Sequence, residues 1–178
     1  MEWMLMPLKR YAEFNGRSRR MEFWMYQLGL WILNIVLGVI VMMVGAASMA
    51  SASADNPGAG IVGMMAGMGV LSIVFVVLGL GLLIPSIAVA VRRLHDTNRS
   101  GFWLLLPIGL YIAIIAMAMM AAAANSSAMG AIVLIVWLLF MASAIMLLVF
   151  YCLPGTPGPN KYGPDPLGGA GNLSQTFQ

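Results

Sequence analysis

Most of the charged side chains of this 178-residue chain fall in three short polar clusters. The first runs from Gly16 to Trp24, the second from Arg92 to Trp103, and the third from Gly155 to Pro166. Arginines placed beside carboxylates can bind a phosphate or pair as a structural network, and a histidine among them can take part in acid–base chemistry. Each cluster therefore has to be weighed as a binding site, a structural corner and a catalytic centre.

The only histidine, His95, stands directly before Asp96. Acid–base catalysis needs a partner group and a defined pocket, and a metal site needs further ligands, for which only Glu22 and Asp165 are available nearby. Cys152 is the single cysteine, so sites built from several thiolates are excluded. We therefore predict no catalytic residue and no enzyme activity; an enzyme acting on lipid, with His95 and Asp96 as its acid–base pair, is a third hypothesis.

Methionine is abundant, with 17 residues, and Met64, Met65 and Met68 lie close together. Thioether sulfur suits Cu(I), but methionine is also an ordinary flexible hydrophobic residue, and no Cys or His accompanies this group. We therefore predict no metal and no cofactor.

The central cluster has helical spacing, because Arg92, Asp96 and Arg99 stand at i, i+4 and i+7. On a helix these three side chains share one face, and Asp96 near the negative helix C-terminus requires a cationic partner. One interpretation is a structural, charge-paired helix corner. The other is a ligand site in which arginines donate to an anionic headgroup or a phosphate.

The elements that position these clusters follow from composition, since 61% of the residues are hydrophobic and 8% are charged. A soluble domain has about a quarter charged residues, so a water-soluble globule is excluded. No charge lies between Glu22 and Asp55, between Asp55 and Arg92, or between Arg99 and Lys161. A helix needs about 20 apolar residues to cross a bilayer. The three gaps therefore predict an all-α integral membrane protein with four transmembrane helices in two hairpins, at about 21–47, 60–94, 102–124 and 129–153.

The remaining segments are short. Residues 1–20 are predicted to be an interfacial segment, either a short amphipathic helix or, because of Pro7, a loosely ordered tail. Residues 21–166 form the membrane domain, whose Pro/Gly-rich end after the fourth span cannot be helical, and residues 167–178 are predicted to be disordered. Turns are predicted at residues 51–58 and 125–127. The small residues Ala59, Gly63 and Gly67 allow close helix approach, within the bundle or between protomers.

The basic residues predict the topology. They precede the first span, lie between the second and third, or follow the fourth, and the two other loops contain none. The positive-inside rule then places both termini, the central loop and a small polar cap in the cytoplasm. The first apolar stretch, Phe23 to Ala47, is longer than the 7–15 residues of a signal peptide core, so we interpret it as an uncleaved helix.

The three clusters resemble those of the bacterial inner-membrane family DUF805, a domain of unknown function. The similarity covers residues 11–166 and rests on Gly16-Arg17…Glu22-Phe23-Trp24, Arg92-Arg93-Leu94-His95-Asp96…Arg99-Ser100-Gly101-Phe102-Trp103 and Asn160-Lys161-Tyr162-Gly163-Pro164-Asp165-Pro166. It implies a multi-pass inner-membrane protein and no established activity. Arg19 stands where the family often has a capping Ser, so Ser18 caps the first span or that turn is capped differently. Asn98 replaces the usual Gly and predicts a helix stop at about Thr97.

The leading functional hypothesis is a non-enzymatic membrane protein whose cap docks a protein partner or an anionic lipid headgroup, because the specific residues concentrate there. The alternative is a small oligomeric channel or exporter, although a pore should show a polar stripe along a helix. The expected partners are the bilayer, anionic phospholipids and an unidentified protein. No nucleic-acid partner is predicted, and the sequence does not determine the oligomeric state. The candidate contact residues are Arg17, Arg20, Glu22, Arg92, Arg93, His95, Asp96, Arg99, Asn160, Tyr162 and Asp165.

Overall fold

The structure is a computed structural model that describes residues 2–50, 56, 58–124 and 127–168. These residues form helices and connecting segments, without a β-strand in the described ranges. The helices are α1 (Glu2–Lys9), α2 (Arg20–Ala50), α3 (Gly58–Asp96), a 3₁₀ turn (Gly101–Leu104), α4 (Leu105–Ala124) and α5 (Ser127–Cys152). Helices α2, α3, α4 and α5 are long and apolar enough to cross a membrane. The predicted all-α membrane class is therefore confirmed.

The helix bounds differ from the predicted spans by a few residues. Helix α3 begins two residues before the predicted span and continues two residues beyond it. Pro85 lies inside α3, is buried and does not end the helix. The loop and turn predictions at 51–55, 57 and 125–126 concern residues outside the described part of the chain, as does the predicted disorder of 169–178.

One compact unit comprises the described residues of Met1–Ala12 and Trp24–Ile87. In it α2 and α3 pack through small residues: a Cβ atom added to Gly63 would lie 3.5 Å from Ser48, and one added to Gly67 would lie 2.5 Å from Val44 Cγ1. A Cβ atom at Gly67 would therefore require Val44 or the helices themselves to shift. Gly63 and Gly67 therefore allow helices of the same chain to pack closely, which is the first of the two alternatives predicted for the small residues.

Helix α1 belongs to the same unit. Pro7 is buried, and the terminal methyl of Met4 would lie 3.1 Å from a Cβ added to Gly29. Beyond the helix, the Tyr11 hydroxyl donates to the Gly81 carbonyl over 2.6 Å. The N-terminal segment is thus helical and packed, which favours the amphipathic helix over the loosely ordered tail.

The second unit comprises Glu13–Phe23 and the described residues from Ala88 onward. Helices α4 and α5 pack against each other, with the rings of Tyr111 and Phe140 5.9 Å apart. Ser100 accepts from the Phe102 backbone N–H over 3.4 Å and caps the 3₁₀ turn that leads into α4. The buried polar residues of this unit lie directly before α2 and in its first turn, at the end of α3 and, for Ser143, within α5.

Candidate functional site

The three polar clusters meet in one structural region, here called the polar cap: residues Glu13–Phe23, Ala88–Ser100 and Leu153–Gly168. All of them belong to the second unit. The cap contains seven Lys and Arg side chains and four Asp and Glu side chains. Its centre is the last turns of α3, where Arg92 and Arg93 are fully buried and Asp96 is 4% exposed.

The end of α3 is fixed by a Schellman motif. Asn98 has a φ of 58°, a left-handed conformation that Asn tolerates better than most residues. Its N–H donates to the His95 carbonyl over 3.0 Å, and the Arg99 N–H donates to the Leu94 carbonyl over 2.9 Å. The helix stop predicted from Asn98 is confirmed, and it places the carboxylate of Asp96 on the final helical turn.

Asp96 is bonded to two arginines. Its Oδ1 atom accepts from Arg17 Nε over 2.9 Å, and its Oδ2 atom accepts from Arg93 Nη1. The carbonyl of Asp96 also accepts from the backbone N–H of Thr156 over 2.9 Å. Gly155 lies directly against the carboxylate, where a Cβ atom would overlap with it. One residue, through its side chain and its carbonyl, therefore joins the N-terminal segment, α3 and the segment after α5.

Arg17 extends this connection. Its two terminal nitrogens each donate over 2.6 Å, one to the Gly158 carbonyl and one to the Thr156 carbonyl. The Arg17 side chain is 1% exposed, so its planar, five-donor guanidinium is surrounded by acceptors. This arginine therefore stabilises the fold of the segment after α5 and has little capacity for an external ligand.

Arg92 has a different partner from the one that helical spacing suggested. It pairs with Glu22 over 3.1 Å, and its Nη1 atom donates to the Glu13 carbonyl over 2.6 Å. The shared helix face of Arg92, Asp96 and Arg99 therefore does not produce an Arg92–Asp96 ion pair. The partner of Asp96 on its own helix is Arg93, three residues earlier.

Arg93 also stabilises the end of α5. Its Nε atom donates to the Tyr151 carbonyl over 3.1 Å, and its Nη2 atom donates to the Leu153 carbonyl. The last carbonyls of a helix have no intrahelical partner and carry partial negative charge, so a cation placed there is favourable. Arg93 is thus shared between Asp96 and the end of the fourth span.

His95 is held by the backbone and by an aromatic ring. Its Nδ1 atom lies 3.3 Å from the Gly16 carbonyl, and its ring stacks on Tyr162 at 3.8 Å with an interplanar angle of 4°. A carbonyl only accepts, so Nδ1 carries the proton in this contact. No group of three or more His, Cys, Asp or Glu side chains that could hold a metal occurs among the described residues.

The segment after α5 is not helical, as its proline and glycine content predicts. Asn160 and Gly163 exchange two backbone hydrogen bonds of 3.0 and 3.1 Å, which close a tight turn. The Asn160 side chain donates to the His95 carbonyl over 2.9 Å and accepts from the Tyr162 N–H over 2.9 Å. Asn160 therefore fixes the ring of Tyr162 beside the histidine.

Asp165 is bonded to the backbone rather than to an arginine side chain. Its carboxylate accepts from the Leu167 N–H over 2.9 Å and from the Gly158 N–H over 3.0 Å. The bond from Leu167, followed by the one from Gly158, lowers the pKa of Asp165 below its ordinary value, so the group is ionised at neutral pH.

The other two predicted contact residues lie at the edge of the buried network. The guanidinium of Arg99 lies 4.0 Å from the centre of the Phe150 ring, a cation–π contact. Arg20 is exposed, and its Nη1 atom lies 3.4 Å from the Cys152 carbonyl, a long hydrogen bond. Neither arginine is paired with a carboxylate in the described part of the chain.

A cavity of about 490 Å³ opens beside this network. It is lined by the arginines of the first cluster, by Asp96 and by two parts of the segment after α5. The lining residues are Arg17, Arg19, Arg20, Met21, Asp96, Pro154, Gly155, Thr156, Pro157, Asp165, Pro166 and Leu167. Arg19, which is not among the contact residues predicted from the sequence, donates to the Pro166 carbonyl over 2.5 Å. The sequence feature that could have indicated Arg19 is its position between Arg17 and Arg20.

The N-terminus of α2 shows how the substitution at Arg19 is accommodated. Ser18 is fully buried, and its Oγ atom has no hydrogen-bond partner among the described residues, so Ser18 is not the cap. The Arg19 carbonyl accepts from the Phe23 N–H over 3.2 Å, which is the first intrahelical hydrogen bond of α2. Ser18 is therefore excluded as the capping side chain.

The chain matches a known protein family over most of its length. The family model described as protein of unknown function (DUF805) matches residues 11–164, which include all of α2 to α5 and most of the polar cap. The chain belongs to the DUF805 family.

Two relatives of the chain are inner membrane proteins of Escherichia coli (strain K12). The inner membrane protein YhaH is 34% identical over 166 residues, covering 93% of this chain and 97% of the relative. The inner membrane protein YhaI is 32% identical over 170 residues, covering 96% of this chain and 99% of the relative. No solved structure gives a significant match. These similarities indicate a family of uncharacterised inner membrane proteins and point to no catalytic family.

Proposed function

We propose that this DUF805 protein is a non-enzymatic inner-membrane protein whose polar cap faces the cytoplasm and docks an anionic group, carried by a lipid headgroup or by a protein partner. The observation that carries the proposal is the excess of positive charge in the cap, where three of the seven cations line an open cavity. A surface of this kind attracts anions through charge-assisted hydrogen bonds.

Non-enzymatic action is supported by the surroundings of the one histidine. The proton-bearing Nδ1 atom of His95 faces a backbone carbonyl, and one ring face is covered by Tyr162. Asp96, the partner in the acid–base hypothesis, accepts from Arg17 and Arg93 instead. A carboxylate that already holds two cations is a poor general base.

The channel or exporter alternative has less support. No Asp, Glu, Lys, Arg or His lies between Phe23 and Ala50, between Gly58 and Val91, or between Leu105 and Cys152. Ser48 and Ser72 in α2 and α3 donate to carbonyls of their own helices rather than towards a shared channel. Conducting pores and coupled transporters place polar or ionisable groups along their path.

The decisive experiment is purification from native membranes in mild detergent, with identification of the lipids and proteins retained. The proposal expects an anionic lipid or a partner protein to be retained and to be lost as salt concentration rises. Reconstitution of the same preparation in liposomes is the counter-test. Conduction of ions or solutes without any retained partner would contradict docking and favour the channel.

The orientation is tested separately with reporter fusions. Fusions at Asn56 and Asn125 should read periplasmic, and a fusion at the C-terminus should read cytoplasmic, because every basic cluster then faces the cytoplasm. A cytoplasmic reading at Asn125 would contradict the proposed topology of the second hairpin.

A further inference from the structure

The cavity in the polar cap differs from the buried network because part of its positive charge is accessible. Arg17 is enclosed by Asp96 and two carbonyls, as described above. Arg20 is exposed and bonded only to the Cys152 carbonyl over 3.4 Å among the described residues. Arg19 is half-buried and donates to the Pro166 carbonyl. The guanidinium groups of the consecutive residues Arg19 and Arg20 therefore line a cavity of about 490 Å³, a volume typical of small-ligand sites.

The cavity lies at the membrane depth at which lipid headgroups are expected. Arg20 is the first residue of α2 and Pro154 follows the end of α5 by two residues, so the cavity lies where two spans begin and end. Phospholipid headgroups occupy that depth beside transmembrane helices. Met21 and Leu167 line the cavity and are 59% and 73% exposed, which gives it an apolar margin beside its arginines.

We propose that this cavity binds the phosphodiester of an anionic phospholipid, with Arg19 and Arg20 as donors; this deepens the docking function proposed above and rests on it. Guanidinium groups match phosphate oxygens with paired, charge-assisted hydrogen bonds. The apolar margin receives the first carbons of the acyl chains. Arg92 and Arg93 are not ligand contacts, because they are fully buried and bonded to Glu22, Asp96 and backbone carbonyls.

Two acidic groups, Asp96 and Asp165, line the cavity, and Asp96 is bonded to Arg17 and Arg93. Asp165 lines the same cavity, and its ionised carboxylate repels an approaching phosphate. Its two hydrogen bonds come from backbone N–H groups, which lower its pKa, and the nearby charges of Arg17 and Arg19 lower it further. Removal of the Asp165 charge should strengthen the binding that removal of Arg20 weakens.

The test uses the full-length protein in neutral detergent and four probes followed by native mass spectrometry. The probes are inorganic phosphate, glycerol phosphate, short-chain phosphatidylcholine and short-chain phosphatidylglycerol of the same chain length. Phosphatidylglycerol should bind most tightly. Arg20→Ala should weaken its binding about tenfold, as expected for one lost charge-assisted hydrogen bond. Asp165→Asn should strengthen it.

Lys161→Ala is the matched control, because Lys161 is an exposed cation of the same cap that does not line the cavity. It should change phosphatidylglycerol affinity less than about twofold. Equal losses for Arg20→Ala and Lys161→Ala would overturn the site in favour of unspecific charge attraction. Equal binding of phosphatidylcholine would overturn charge recognition, and equal binding of inorganic phosphate would overturn the lipid as the source of the phosphate.

The result also separates this inference from the function on which it rests. If the wild-type protein retains anionic lipid and Arg20→Ala retains as much, the cavity is not the site and docking elsewhere in the cap stands. If the wild-type protein retains neither lipid nor protein from native membranes, the docking function itself fails. Arg19→Ala, measured in the same way, should reproduce the weakening, and an unchanged affinity would remove Arg19 from the site.

Discussion

The end of α3 and the margin of the cavity both present arginines, but the two regions use them differently. At the end of α3, Arg92 and Arg93 are fully buried, and each is bonded to a carboxylate and to a backbone carbonyl. At the cavity, Arg20 is exposed and has one long hydrogen bond. A buried guanidinium must be satisfied by the protein itself, whereas an exposed one keeps its capacity for a ligand. An arginine-rich motif in the sequence therefore indicates a buried structural network more directly than it indicates a binding surface.

The largest effect on stability is expected at the buried carboxylate. Asp96→Ala leaves Arg17 and Arg93 without their shared anion, and removal of one partner from a buried ion pair costs about 3–5 kcal/mol. The free energy of unfolding, measured by chemical unfolding in detergent micelles, should fall by that amount. Asp165→Ala is the matched control, because its carboxylate is accessible and bonded only to backbone groups; equal losses would contradict the contrast between buried and exposed regions.

A double-mutant cycle sharpens the same comparison by testing which arginine acts on Asp96. The Arg93–Asp96 pair should show a coupling free energy of about 1–3 kcal/mol, since the two side chains are in contact. The Arg92–Asp96 pair should be additive within about 0.5 kcal/mol, because Arg92 pairs with Glu22 instead. Stronger coupling for Arg92 than for Arg93 would contradict the pairing described here.

The close contact of Gly155 with the carboxylate gives a third test. Gly155→Ala would place a methyl group against Asp96, and overpacking of this kind costs about 1–3 kcal/mol. Gly109→Ala in α4 is the control, because a Cβ atom there meets nothing within 4 Å and alanine favours helix. Thermal unfolding of the two variants in the same detergent should separate them, with only Gly155→Ala destabilised.

The sequence was sufficient to predict the helices, because each uncharged stretch of about 20 residues must satisfy its backbone hydrogen bonds within a helix. The sequence was also sufficient to predict the end of α3, because Asn98 adopts the left-handed backbone conformation that ends a helix more readily than most residues do. It failed for the partners of Asp96. Arg17 is 79 positions away, and such a contact depends on how distant segments pack rather than on spacing along one helix.

Arg19 was missed for a related reason. Its side chain donates to the Pro166 carbonyl, 147 positions later. A backbone acceptor has no residue type that a sequence pattern can reveal. The cavity itself is equally invisible in the sequence, since its lining comes from three separate segments. Local signals thus predict helices and caps, whereas a site assembled from loops requires the fold.

A smaller effect is expected at the end of α3. Asn98→Ala places a residue with a Cβ but no locally bonding side chain at a φ of 58°, which should cost about 1 kcal/mol. Asn98→Gly should be neutral or slightly stabilising, because glycine adopts this conformation without strain. Chemical unfolding of both variants gives the order, and a greater loss for Gly than for Ala would contradict the Schellman motif.

The smallest effect concerns the pH dependence at the accessible carboxylate. Hydrogen bonds from the Leu167 and Gly158 N–H groups lower the pKa of Asp165 below its ordinary 3.8 in the folded protein. A group with a lowered folded pKa binds more protons when unfolded, so its contribution to stability is present above about pH 4 and is lost as the pH falls through the folded value. The free energy of unfolding of Asp165→Asn should therefore lie below that of the wild type at pH 7, and the gap should close on acidification below pH 4. A gap that stays constant with pH would contradict a contribution of the carboxylate charge to the stability of the turn.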